Sequence, residues 1–244
     1  MLCRRQKTLK VDLPYRGSQG PLHLLIDSTG IKVEGEGEWN ARKHGGPKRP
    51  SPRPLGPVAI PWLDWRKIHI GIDEEPLEIR TAELTSSDLG DAPMLPQLLD
   101  QIPPDQEIDS VTAEGAYDTR RCHEAIATRG AAAIIPPRRN AKPWKPDTAG
   151  AVARNEALRA SRRFGRTVWR RWSGYHRPSR AEIGGGSEND PGDRLPDAWM
   201  HCVKLLGQRL SARDFHRQGA AFQVRVAVLN NYTALGTPVT EPVR

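Results

Sequence analysis

From Leu22 to Ile26 the chain is largely apolar, the pattern of a short strand buried on both faces. Pro21 bounds this run on one side and the turn-prone Ser28-Thr29-Gly30 on the other. The next stretch, IKVEGEGEW, alternates in character and reads as a second strand. Residues 41–64 hold six prolines and three glycines, which break helix and ladder alike, and so read as loop. Trp65 to Asp73 alternates, with Ile68, Ile70 and Ile72 on one face, and residues 77–85 repeat the alternation. Glu74-Glu75-Pro76 between them predicts a hairpin.

After the hairpin the pattern changes. Ser86 to Asp91 supplies cap chemistry, with Pro93 opening a helix through Leu99. Ile108 to Ala113 is a short strand that delivers Glu114. Thr119 to Gly130 is a helix, with Thr119 or Asp118 as its cap and Gly130 as its stop. Ala131 to Ile135 is another strand, closed by Pro136-Pro137. Residues 138–150 are basic and irregular, residues 151–171 are helix-prone, and residues 183–198 have loop composition. From Met200 onward helical spacing resumes. An antiparallel start followed by strand–helix–strand units predicts an α/β sheet with helices on its faces.

Charge sharpens this picture more than composition does. The 244 residues carry a net charge of +8, but residues 138–180 alone hold thirteen Lys or Arg against Asp147 and Glu156, leaving the remainder mildly acidic. Such a block beside an acidic body is the footprint of a protein that meets a polyanion. A solvated helical face is the alternative, and Trp144, Trp169 and Trp172 within the block serve either a nucleic-acid surface or a core. No run approaches the ~18 apolar residues of a membrane-spanning helix, so no membrane is expected as a partner. The three cysteines, Cys3, Cys122 and Cys202, form no CxxC pair, and a reducing cytoplasm is the expected location.

Three acids stand out by position: Asp27 ending the first strand, Glu114 ending a later one, and Glu182 beyond the basic block. Carboxylates gathered at neighbouring strand ends repel one another unless cations bind. Two Mg2+ ions about 3.5 to 4 Å apart clamp an in-line displacement at phosphorus. The alternative for Asp27 is a local cap of the turn that follows it. His44, His69, His123, His176 and His201 share no metal-ligand spacing, and Cys122 reads as a small buried hydrophobe. Gly35, Gly37, Gly45 and Gly46 form no phosphate-cradling loop.

Several ordered segments carry a resemblance: LLIDSTGIKV, WRKIHIGIDEE, TSSDLGDAPMLPQLLD, TAEGAYDTRRCHEAI, RGAAAIIPPRRNAK, and WSGYHRPSRAE followed by MHCVKLLGQRL. From residue 4 onward the chain resembles the catalytic region of bacterial insertion-sequence transposases of the DDE type, in the branch named after insertion sequence five. The resemblance implies an RNase H-like fold, a mixed sheet with helices on both faces, dependence on Mg2+ (or Mn2+), and cleavage and rejoining of DNA at transposon ends. It implies Asp27, Glu114 and Glu182 as the catalytic, metal-binding acids. Tyr175, Arg177, Arg180 and Lys204 become the DNA-binding residues, with Tyr175 opening and Lys204 closing the tyrosine-arginine-glutamate-lysine signature. Double-stranded DNA is the implied partner, and a homodimer the assembly to look for.

This sequence departs from the family pattern at defined places. Glu114 stands where the family shows Asp, Pro178 replaces the signature arginine, and extra residues lie near 50–64 and within 183–199. Residues 1–20 read as an arm and residues 21–244 as the catalytic domain. The family's helix-turn-helix region is not found ahead of Asp27, so the chain reads as an N-terminally truncated, eroded copy. Two other readings share these residues: a catalytically inactive remnant that binds DNA through residues 138–180, and a nuclease that hydrolyses without rejoining.

Overall fold

The computed structural model describes residues 20–33, 65–175, 206–212 and 214–235. Among these, six strands form one sheet in the order β3-β2-β1-β4-β5, with β6 also pairing β1. The central strand, β1 (Leu22–Val33), pairs antiparallel with β2 (Trp65–Asp73), which pairs antiparallel with β3 (Ile79–Ser86). On its other side β1 runs parallel to β4 (Ile108–Ala113), and β4 runs parallel to β5 (Ala132–Ile134). An antiparallel meander followed by parallel strands, with helices on both faces, is the RNase H-like arrangement that the resemblance implies.

Three expectations fail, all at β1. Ser28-Thr29-Gly30 does not turn; the strand runs straight through it, paired with His69, Ile68 and Lys67. A ladder along β2 outweighs local turn propensity. Gly30 serves a close approach instead, since a Cβ there would meet the Trp65 ring at 3.0 Å. Ile31 to Val33 therefore continue β1 and begin no second strand. Nor is the C-terminal region helical throughout its described residues: β6 (Arg209–Leu210) pairs with Lys32 and Val33 before the last helix starts. Arg225 holds it there, donating to the Gly207 and Arg209 carbonyls at 2.6 Å each.

Alternation along β1 splits the core into two. Leu22, Leu24 and Ile26 face α1 (Met94–Asp100) and α2 (Arg120–Thr128) in one cluster with Leu95, Leu98, Val111, Tyr117 and Ile126. Leu25, Ile31 and Val33 join Ile68, Ile70 and Ile72 under α5 (Phe215–Leu235), which contributes Phe222, Val226 and Leu229. Burying each such side chain contributes about 1.5–3 kcal/mol. A one-residue slip of β1 would carry Asp27 into the α1–α2 core, so the apolar pattern fixes where that carboxylate stands.

Polar groups tie the helices down. Asn230 of α5 bonds both the amide and the carbonyl of Ile79 at 2.9 Å, satisfying the backbone of β3. Arg129, just past α2, donates to the carbonyls of Leu99, Ile102, Pro103 and Gln106 and so closes the C-terminal end of α1. Thr119 caps α2 by accepting from the Cys122 amide, and Gly130 ends it at φ +71°. Cys122 is fully buried, and its burial pushes the thiol pKa up.

Candidate active site

The last residue pair between β1 and β4 is Ile26 with Ala113. Asp27 and Glu114 are the next residues along the two chains, Asp27 within β1 and Glu114 just past the end of β4. Here the sheet forks. β4 ends, and β6 does not join β1 until Lys32, so no strand among the described residues borders β1 on that side from Asp27 to Ile31. In open α/β sheets such a crevice, beyond the carboxyl end of a strand, is where ligands bind.

Asp27 is 8% exposed, and its Oδ1 accepts from the Ser28 amide at 2.7 Å. That contact is the local cap considered above, made within a strand instead of a turn. Glu114 is extended (φ −71°, ψ 168°) at the head of the 3-10 turn Gly115–Tyr117, and its side chain makes no capping bond there. Burial raises its pKa and the Asp91 charge raises it further, while Lys67 pulls the other way.

Asp91 and Lys67 are the residues that sequence reasoning missed. Asp91, expected only as cap chemistry, lies against the sheet just ahead of α1. Its Oδ1 takes the Lys67 ammonium at 2.6 Å and the Ser28 hydroxyl at 2.5 Å. Burial works against this carboxylate, but the hydrogen bonds from Lys67 and Ser28 and the Lys67 charge outweigh it and hold its pKa below the ordinary range. His69 Nδ1 lies 3.9 Å from the same oxygen, and its Nε2 meets Thr85 Oγ1 at 3.0 Å. Burial lowers His69 to about 4, so at neutral pH this approach is not an ion pair. Fully buried Tyr117 lies beside the group, its phenol pushed far up by burial and then by Asp91 and Asp27. One signal was available: alternation through WRKIHI sets Lys67 and His69 on the same face.

The donor set has the chemistry of a hard cation site. Mg2+ takes oxygen ligands and is usually held by one or two carboxylates, the rest being water or substrate. Asp27 and Glu114 meet that requirement, although no group of three candidate ligands converges among the described residues. Glu182 lies outside the described residues, as do Arg177, Pro178, Arg180, Lys204 and both insertion-like stretches. Tyr175 is described; its ring packs 6.0 Å from that of Trp169, with the Arg170 guanidinium 5.5 Å away.

The basic block is fastened to the core around Asp118. Asp118, buried at the end of the 3-10 turn, takes both prongs of the Arg154 fork at 3.0 Å and the Arg138 amide at 2.9 Å. Burial alone would raise its pKa, but His123, Arg154 and the Arg138 amide hold the carboxyl far below the usual range. Arg154, on α3 (Ala151–Phe164), also donates to the Lys142 carbonyl at 2.7 Å and stacks 4.1 Å from the Trp144 ring. Gly150 opens α3 at φ +73°, where a Cβ would meet the His123 carbonyl oxygen at 2.7 Å. Arg162 and Arg166 donate to the Ala141 and Pro137 carbonyls. The three tryptophans divide: Trp169, on α4 (Arg166–Trp172), is buried, Trp144 stacks on Arg154, and Trp172 is 68% exposed.

Among the described residues no helix is long and apolar enough to cross a membrane. No solved structure matches the chain. The family model described as the transposase DDE domain matches residues 18–230, a span that takes in Asp27, Asp91, Glu114 and the whole basic block. By that match and by its sheet order, the chain belongs to the transposase DDE domain family.

Proposed function

We propose that this protein cleaves and transfers DNA strands at insertion-sequence ends in a metal-dependent reaction, with Asp27, Glu114 and Glu182 as the carboxylates that hold Mg2+ or Mn2+. The observation that carries the proposal is that Asp27 and Glu114 each follow directly on the last β1–β4 pair, Ile26 with Ala113, where the sheet forks. Family membership supports transposase function, a DNA substrate and a divalent metal. The insertion sequence five branch, the catalytic unit over residues 21–244 and the arm over 1–20 are parts of the same reading.

A divalent ion held there would activate the attacking oxygen and neutralise charge at the phosphorus. The protein's own work is positional. β1 and β4 fix two carboxylates on a rigid sheet, and the Ser28 amide orients one oxygen of Asp27. The basic block supplies attraction for the phosphate backbone, while Tyr175, Arg177, Arg180 and Lys204 contact the bound strand.

One observation favours a second reading, DNA binding without strand chemistry. Glu114 is one methylene longer than the family's aspartate, and metal geometry tolerates errors of only about 0.5 Å. A strand-transfer assay with Mn2+ on DNA ends tests the first reading directly, with Glu114→Asp alongside. The expected outcome is cleavage that rises at least about tenfold in Glu114→Asp, a gain of about 1.4 kcal/mol in transition-state stabilisation. Salt-sensitive DNA binding without cleavage in either protein would leave only the second reading.

A further inference from the structure

In the sheet fork two acids, Asp91 and Glu114, share one ammonium group, which is bonded to the first and felt by the second. Lys67 reaches it from β2, where it pairs with Gly30 of β1 and Thr85 of β3. Its Nζ lies 2.6 Å from Asp91 Oδ1, with side-chain exposures of only 23% and 17%. The same oxygen takes the hydroxyl of Ser28, whose amide is bonded to Asp27. His69 faces Asp91 from the buried side at 3.9 Å, and buried Tyr117 lies close enough to feel the Asp91 charge. The lysine head is therefore fixed by a carboxylate that is itself held to β1 through Ser28.

We infer that Lys67 is the built-in counter-cation of this acidic pair, pinned in place by Asp91, and that a divalent ion entering at Asp27 and Glu114 competes with it for the negative charge of Glu114. The second half rests on the metal site proposed above; the first half does not. Like charges gathered in a partly buried place raise the folded state's free energy unless something of opposite sign offsets them. In the metal-free protein Lys67 does so, and its field is felt at Glu114 as well as at Asp91. A site with a resident positive charge binds a second cation less tightly. Lys67 thus keeps the fork folded without metal, at the expense of metal affinity.

The test uses the whole chain and four variants: Lys67→Met, Lys67→Arg, Glu114→Gln and Lys67→Met with Glu114→Gln. Melting in the presence of a chelator at neutral pH should show a loss of about 5 °C for Lys67→Met and little for Lys67→Arg. Glu114→Gln should then raise the melting temperature more in the Lys67→Met background than in the wild type, because only there is its charge unbalanced. Equal shifts in both backgrounds overturn the inference. If Lys67→Met does not fold alone, rescue by Glu114→Gln supports it and failure of rescue overturns it. Mn2+ titration by water-proton relaxation should show affinity rising about tenfold in Lys67→Met and unchanged in Lys67→Arg. Unchanged or weaker Mn2+ binding in Lys67→Met overturns the competition. If no protein in the set takes up Mn2+ but the melting coupling persists, the counter-cation stands and the metal site falls.

Discussion

Asp118→Asn is the most revealing single change outside the acidic fork. Asparagine keeps the shape of the side chain but removes the charge that both prongs of Arg154 and the Arg138 amide address. The Arg154 side chain is 2% exposed, so it would be left as a buried cation with no carboxylate partner. Breaking such a pair from one side costs about 3–5 kcal/mol, and the retained amide oxygen puts the loss at the lower end, about 3 kcal/mol. For a domain of this size that is about 10 °C in melting temperature. The pH dependence has a definite sign. Because the folded carboxyl has a depressed pKa, its contribution is complete above the ordinary aspartate value of about 3.9 and is lost as the pH falls below it. The gap between wild type and Asp118→Asn should be constant from pH 7 to 5 and narrow below about pH 4. Thermal and urea unfolding followed by circular dichroism measure both. Adding Arg154→Met to Asp118→Asn should recover stability, since it removes the stranded charge. A loss under about 1 kcal/mol at pH 7, or no recovery in the double variant, would refute the view that this pair fastens the basic block to the core.

His69 offers a second pH test. With its pKa lowered to about 4, the folded protein resists the proton that the unfolded chain accepts near 6.5, so His69 costs stability increasingly as the pH falls from 6.5 towards 4. In His69→Gln that part of the acid-side slope should vanish, and in the wild type the His69 ring resonances should not titrate between pH 5 and 8. On the basic block, Arg171 and Trp172 are exposed at the end of α4. Arg171→Ala should weaken DNA binding and reduce the salt slope by about one, whereas Arg162→Ala, whose guanidinium serves the Ala141 carbonyl, should act mainly on stability. A salt titration by fluorescence anisotropy, paired with a melting curve, separates the two.

Much of the fold was legible because its signals are local. Ile68, Ile70 and Ile72 alternate, Glu74-Glu75-Pro76 turns, Thr119 caps and Gly130 stops α2, and Ile108 to Ala113 delivers Glu114 to a strand end. The errors came where a neighbour overrides local preference. Ser28-Thr29-Gly30 has turn chemistry, but nine paired positions along β2 keep it extended. Arg209 and Leu210 look like part of a helix until Lys32 and Val33 offer them a ladder.

The candidate site divides in the same way. The chain on its own determined that Asp27 closes an apolar run and that Glu114 follows an apolar strand, because hydrophobic periodicity fixes which positions are buried, and ordered motifs identified the family; Asp27 itself lies in mid-strand, since β1 continues to Val33. Which charged groups meet was decided only in three dimensions. Asp91 sits in a stretch whose local chemistry is that of a cap, and Lys67 in an ordinary alternating strand; neither carries a mark of the other. Their encounter at 2.6 Å follows from strand register and from the seating of α1 on the sheet. Likewise Asp118 meets Arg154 across 36 positions because α2 and α3 pack together. Periodicity is a property of neighbours along the chain. Electrostatic partnership is a property of neighbours in space, and the folded sheet is what converts one into the other.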